Sequence, residues 1–274
     1  MEIFTIDQQT CNRDGLCAMV CPMGIIDWVH GQPPSAADDA EKCCIRCGHC
    51  VAVCPTGSFH HRDMDPAQCP PVHAEWQLSP DQCEHFLRAR RSIRVYKKQP
   101  VDRDTLRQLI EMARYAPTGI NSQGVRWLVI DNRKTLDHLA GLVIDWMRWM
   151  EQEMPEMAGT LHTDRVIRRW QGGIDGILRG APALVITHAE TTNRMAPTSC
   201  TLALSYLELA ATGLGLGTCW AGYFNAAVNA YAPLRQALPL AEGQQCFGAM
   251  MVGYPGLRYQ RLPTRNQPEI TWSA

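Results

Sequence analysis

The chain has 274 residues, enough for one large or two unequal domains. Its 26 basic and 27 acidic side chains nearly cancel, which removes the electrostatic case for a nucleic-acid or anionic-membrane partner. No apolar run has the length of a bilayer span, and the stretch Met1 to Asp7 is not a basic segment followed by an apolar one, so a cytoplasmic location is expected.

Taken in chain order, the first informative element is a cysteine cluster. Eight of the 13 cysteines fall between residues 11 and 54. With no sign of an oxidising compartment, such a cluster reads as metal-binding rather than as a disulfide framework. Cys44, Cys47, Cys50 and Cys54-Pro55 form a C-x2-C-x2-C-x3-C-P run. Three thiolates two residues apart wrap a loop around one iron–sulfur cubane, and the fourth points toward a second cluster. Gly48 lets the backbone approach the inorganic sulfurs. Zinc is the rival reading, but zinc sites favour paired C-x2-C units well separated in sequence.

An imperfect copy lies upstream: Cys11, Cys17 and Cys21-Pro22, with Asp14 where the second cysteine would stand. This duplication resembles the bacterial two-cluster ferredoxins, whose halves exchange their last cysteines. The resemblance implies that Cys21, Cys44, Cys47 and Cys50 hold one [4Fe-4S] cluster. Cys11, Cys17 and Cys54 would hold the other, with Asp14 in the fourth position. Asp14 is there either an oxygen ligand, harder and weaker for iron than a thiolate, or a turn residue before Gly15. As a weak or absent ligand it would leave that cluster one iron short. Cys43 adjoins the run, but the spacing favours Cys44. The proline- and histidine-rich stretch that follows, with His60, His61 and Cys69, reads as a covering loop and linker rather than a metal group. The first domain is expected at 1–78 and the second at 79–274.

Ser79-Pro80 marks a helix start that leads into Arg90-Arg91-Ser92-Ile93-Arg94. These guanidinium groups and the hydroxyl suit a phosphate dianion. The spacing predicts an amphipathic helix over 102–115, with Leu106, Leu109, Ile110 and Ala113 on one stripe, then a loop, 116–123, and a strand over 125–131. Further on come a strand at 181–187, a helix over 198–212 apolar on nearly every face, a glycine-rich segment, 213–217, and a strand over 247–252. Those glycines follow a helix and so do not form a dinucleotide fingerprint.

The series R-x-S-x-R, helix, A-P-T-x-x-N-x-Q, strand and G-L-G-x-x-W resembles the FMN-dependent nitroreductase family. The resemblance implies an α+β fold, with a mixed sheet flanked by helices, that forms a homodimer. It implies FMN contacts from Arg90, Arg91, Ser92, Arg94, Asn121, Gln123, Gly217 and Arg261. The cluster Trp146-Met147-Arg148-Trp149-Met150 is compatible with either a dimer surface or a core. Together the two resemblances imply a flavin oxidoreductase that passes electrons from its clusters to FMN and on to a small electron-poor acceptor such as a nitroaromatic, quinone or activated alkene. Reduced ferredoxin or NAD(P)H would be the donor. The alternative is a non-catalytic electron relay or redox sensor for a protein partner.

Overall fold

The computed structural model describes residues 2–273; Met1 and Ala274, the outermost residues of the two expected domains, lie outside it. The chain divides into two compact units. The first comprises Met1–Gln77 with Ile120–Ser122, and the second Leu78–Gly119 with Gln123–Ala274.

The first unit is built on a repeat. It contains β1 (Phe4–Ile6), α1 (Leu16–Met19), β2 (Ile26–Asp27), β3 (Ser35–Ala36), α2 (Ala40–Cys43), α3 (His49–Val53) and β4 (Phe59–His61). β1 pairs antiparallel with β4, setting Phe4 opposite His61, and β2 pairs with β3. Each of α1 and α3 is entered through two left-handed residues, Arg13 and Gly15 in one half and Arg46 and Gly48 in the other. Gly15 has no substitute, because a Cβ there would lie 2.5 Å from the Trp28 ring. The apolar core is small, centred on Ile3, Phe4, Ile25, Ile26, Val51 and Phe59. His60 and His61, expected in a loop, lie in β4, because their backbone pairs with the N-terminal strand. Residues 62–77 are largely exposed and carry two short 3-10 turns.

The second unit begins with α4 (Pro80–Ala89), capped as expected: Ser79 Oγ accepts the Gln82 N–H, and the Gln82 side chain accepts the Ser79 N–H. In α5 (Arg103–Ala113), Asp102 caps the start and the predicted stripe of Leu106, Leu109 and Ala113 is buried. There follow β5 (Arg126–Ile130), α6 (Arg133–Glu153), α7 (Pro155–Leu161), α8 (Thr163–Gln171), β6 (Ala183–Glu190), α9 (Ala196–Gly213), β7 (Gly217–Trp220), α10 (Gly222–Ala230), α11 (Ala232–Gln236) and β8 (Gln244–Gly253). The strands make one sheet in the order β5-β6-β8-β7. The α+β class is as expected. The sheet itself differs from the expected mixed one, because every pairing among the described residues is antiparallel.

Two apolar layers flank this sheet. One is centred on α6 and α10, with Leu139, Met147, Met150 and Phe224 fully buried; the other is centred on α5 and α9, with Leu109, Leu204 and Leu207. The Trp146–Met150 segment belongs to the first layer: Trp146, Met147 and Met150 are buried, and Trp149 is left 40% exposed. Its apolar character is therefore explained mainly by the core of the same chain. β7, which opens at the last glycine of the glycine-rich segment, is a strand because Gly217 to Trp220 pair with Gly253 to Met250.

Truncating Met147 to Ala in this core is expected to cost about 2–5 kcal/mol in denaturant unfolding. Burial pushes the thiols of Cys200 and Cys246 up to about 11 and about 12, from an ordinary value of 9.0. A folded-state value above the unfolded one stabilises the fold fully below the unfolded value and less as pH rises through the folded one. Stability of this unit should therefore fall from pH 9 upward. In a Cys246→Ala variant the pH-dependent part of that fall should be smaller.

Candidate functional site

Two pockets in the first unit sort the cysteines into two sets. One, of about 390 Å³, is lined by Cys21, Cys44, Cys47 and Cys50, with Phe59 and His61 among its walls. The other, of about 310 Å³, is lined by Cys11, Asp14, Cys17 and Cys54, again with Phe59. Thus the last cysteine of each run faces the pocket of the other half. Among the described residues no three His, Cys, Asp or Glu side chains converge as they would on a single metal ion. Donors spread around a shared pocket suit a multi-iron cluster better than one zinc.

The backbone supports that fit. The left-handed Arg46 turns its N–H toward Cys44 Sγ at 3.4 Å, and Arg13 does the same to Cys11 Sγ at 3.4 Å. Such N–H···S bonds stabilise negative charge on a ligating sulfur. Asp14 Oδ1 accepts the Leu16 N–H at 3.1 Å, the turn role considered above, yet Asp14 also lines the pocket. The two roles are compatible, since a carboxylate has a second oxygen. Cys43 lines neither pocket. Its thiol donates to Asp39 Oδ2 at 3.4 Å, which together with burial pushes its pKa up. His61, read from sequence as part of a covering loop, stands with Nε2 3.5 Å from Cys44 Sγ.

In the second unit the arginine loop is held as an added strand-like segment. The Ile93 N–H donates to Thr218 O at 2.8 Å, the Lys97 N–H to Tyr254 O at 2.9 Å and the Gly256 N–H to Val95 O at 2.8 Å. Gly217 is needed for this seat, because a Cβ there would come within 2.4 Å of Ile93 Cγ1. Its close approach in this structure is to Ile93.

The expected phosphate-binding residues differ in their surroundings. Arg90 is committed to Glu208 at 2.9 Å, both largely buried. A carboxylate on the apolar helix α9 requires such a partner. Arg91 stacks over Tyr259 with its guanidinium carbon 5.7 Å from the ring centroid, bringing the backbone two residues before Arg261 to this loop. Arg261 itself is exposed. Arg94 and Arg179 both lie near Cys219 and Tyr96; burial pushes the Cys219 thiol up, and these two cations oppose that. Ser92 lies beside this group. Among the described residues, Arg91, Arg94, Arg179 and Arg261 have no carboxylate partner, and the buried Tyr96 hydroxyl has no hydrogen-bond partner. Unneutralised guanidinium groups on a fixed loop are suited to a phosphate.

Asn121 and Gln123 part company. Asn121 groups with the first unit, where its amide donates to the carbonyl oxygens of Ile45 at 3.1 Å and Arg46 at 2.9 Å. Gln123 lines an open cleft with Thr118, Tyr115 and Trp127, and its N–H donates to Thr118 Oγ1 at 3.0 Å. Sequence reasoning had no signal for Glu208 as the partner of Arg90, or for Arg179.

The sequence pattern of the Nitroreductase family matches residues 87–254. The chain belongs to that family. Ahead of this nitroreductase domain, residues 9–59 match a 4Fe-4S dicluster domain. A provisional NADH dehydrogenase/NAD(P)H nitroreductase from Methanothermobacter thermautotrophicus is 21% identical over 67% of this chain and 83% of its own. One of the same description from Archaeoglobus fulgidus is 23% identical over 64% of this chain and 86% of its own. Among solved structures, a nitroreductase with bound FMN from Bacteroides fragilis gives a TM-score of 0.57 at 23% identity, over 70% of this chain and 98% of that one. A nitroreductase with bound FMN from Desulfitobacterium hafniense gives 0.57 at 21%, over 70% and 97%. At these identities the likeness is one of fold. Among the described residues, no helix is long and apolar enough to cross a membrane.

Replacing Gly217 with Ala should destabilise the nitroreductase domain by about 1–3 kcal/mol, read as a lowered denaturant midpoint. An added Ile93→Val substitution, which removes one methyl from that contact, should recover part of the loss.

Proposed function

We propose that this chain is an iron–sulfur flavoprotein that takes in electrons through two clusters in residues 1–77 and delivers them from FMN in the nitroreductase domain to a small electron-poor acceptor. A nitroaromatic, a quinone or an activated alkene fits the acceptor role. The observation that carries this reading is the sorting of donors into two pockets, Cys21/Cys44/Cys47/Cys50 and Cys11/Asp14/Cys17/Cys54. Family membership and the FMN bound by the B. fragilis and D. hafniense proteins support the flavin half.

Bound FMN supplies a carrier that accepts electrons singly and gives them up in pairs. The chain supplies position and charge. Arg91, Arg94 and Arg261, with Ser92, bind the phosphate, and Arg179 adds a cation that the sequence did not single out. Arg90, neutralised by Glu208, holds the loop's base. Gln123 and Thr118 offer an amide and a hydroxyl to the ring or ribityl chain. Gly217 acts by seating Ile93, which keeps Ser92 and Arg94 facing outward. In the head, Asp14 uses Oδ1 to fix the entry to α1 and offers Oδ2 to iron. We place the protein in the cytoplasm as a homodimer, with ferredoxin or NAD(P)H as donor; selective bleaching of flavin absorbance by one of these identifies which.

Anaerobically purified chain should contain about eight irons, or about seven if Asp14 does not ligate, together with one FMN. Material with flavin but neither iron nor sulfide would contradict the proposal. Arg94→Ala should weaken FMN retention by roughly tenfold or more, as loss of a charge-assisted hydrogen bond predicts. Removal of iron by a chelator should raise hydrogen exchange across residues 1–77 and leave β6, β8 and α9 protected.

A further inference from the structure

β4 ends at His61, and its pairing with β1 fixes where that side chain goes. The imidazole is 5% exposed and lines the pocket of Cys21, Cys44, Cys47 and Cys50. Its two nitrogens face different partners. Nδ1 lies 3.1 Å from the Asp63 backbone N–H, which can only donate, so Nδ1 is the acceptor. In the neutral ring the proton then sits on Nε2. Nε2 lies 3.5 Å from Cys44 Sγ and is directed there as a donor.

Cys44 Sγ thus accepts two N–H groups, one from Arg46 at 3.4 Å and one from His61. The repeat provides an internal comparison. Cys11 stands thirty-three residues before Cys44, and Trp28 stands thirty-three before His61. Cys11 Sγ accepts the Arg13 N–H at 3.4 Å, but the Trp28 indole N–H goes to the Arg13 carbonyl at 3.2 Å. Of the two matching thiolates, the one in the Cys44 half receives the extra imidazole donor.

We propose that His61 is a redox-tuning residue, whose N–H···S bond to Cys44 raises the potential of the cluster held by Cys21, Cys44, Cys47 and Cys50. This rests on the two-cluster reading above. One-electron reduction places more negative charge on the ligating sulfurs, so a donor stabilises the reduced form more than the oxidised one. The two clusters are thereby set apart, and an entering electron resides mainly on the His61 side.

The test is an anaerobic potentiometric titration of the full chain, followed by EPR, for the wild type, His61→Leu and His61→Gln. His61→Leu should lower one cluster midpoint and leave the other in place. The expected size is up to about tenfold in the oxidised-to-reduced ratio at fixed poise, or about 59 mV for one electron. His61→Gln, which keeps an N–H donor, should fall between. Both clusters present with unmoved midpoints in His61→Leu would overturn the assignment to His61 alone. A wild type without iron would overturn the two-cluster reading as well. Should His61→Leu assemble no cluster in that pocket, pulsed EPR of reduced wild type labelled with ¹⁵N-histidine decides: an imidazole coupling supports the proposal, and its absence overturns it.

Discussion

The head of this protein is organised by one constraint: sulfur atoms from distant parts of a short chain must converge on shared centres, with N–H groups turned toward them. The left-handed residues Arg13, Gly15, Arg46 and Gly48 are consequences of that demand. Left-handed arginines are uncommon, and they recur here in both halves at the same step before a short helix. The apolar core of the unit, with the Phe4 and Phe59 rings tilted against each other at 4.5 Å, is too small to account for such backbone geometry by packing. Ligation supplies the missing reason, and it explains why Phe59 borders both pockets.

On the proposed reading, the nitroreductase domain meets a different requirement, which is to present cations without neutralising them. Its solution is mechanical. A segment hydrogen-bonded between Thr218 and Tyr254 holds the arginine loop in place, and only a glycine at 217 leaves room for Ile93. One arginine, Arg90, is balanced by Glu208, and the others lack a carboxylate partner among the described residues. On that reading the site is prepared for an anion, and its character follows from which charges are paired.

What the sequence revealed followed from how local each signal is. The cysteine runs are local in spacing, and the resemblance to two-cluster ferredoxins that they carry implied the two sets before any fold was known. The same holds for the caps at Ser79 and Asp102 and for the buried stripe of α5. Features that depend on distant pairing were hidden. β7 was not legible as a strand because the glycines before it are visible in the sequence and its pairing with β8 is not. His61 looked like linker because only pairing with Phe4 makes it a strand residue. Glu208 lies 118 residues from Arg90, and nothing in either neighbourhood announces the other. The tryptophans and methionines of α6 suggested a surface as readily as a core, and burial alone separates the two.

Each unit thus presents a distinct chemical demand. In the proposed account the head gathers soft donors for carriers of single electrons, and the nitroreductase domain reserves positive charge for a phosphate-bearing one. The most direct measurement is the number of reducing equivalents that one oxygen-free chain takes up before its visible spectrum stops changing. Two clusters and a flavin together require about four electrons per chain. Uptake of about two, with only the yellow band bleached, would mean that the cysteine-rich head carries no electrons.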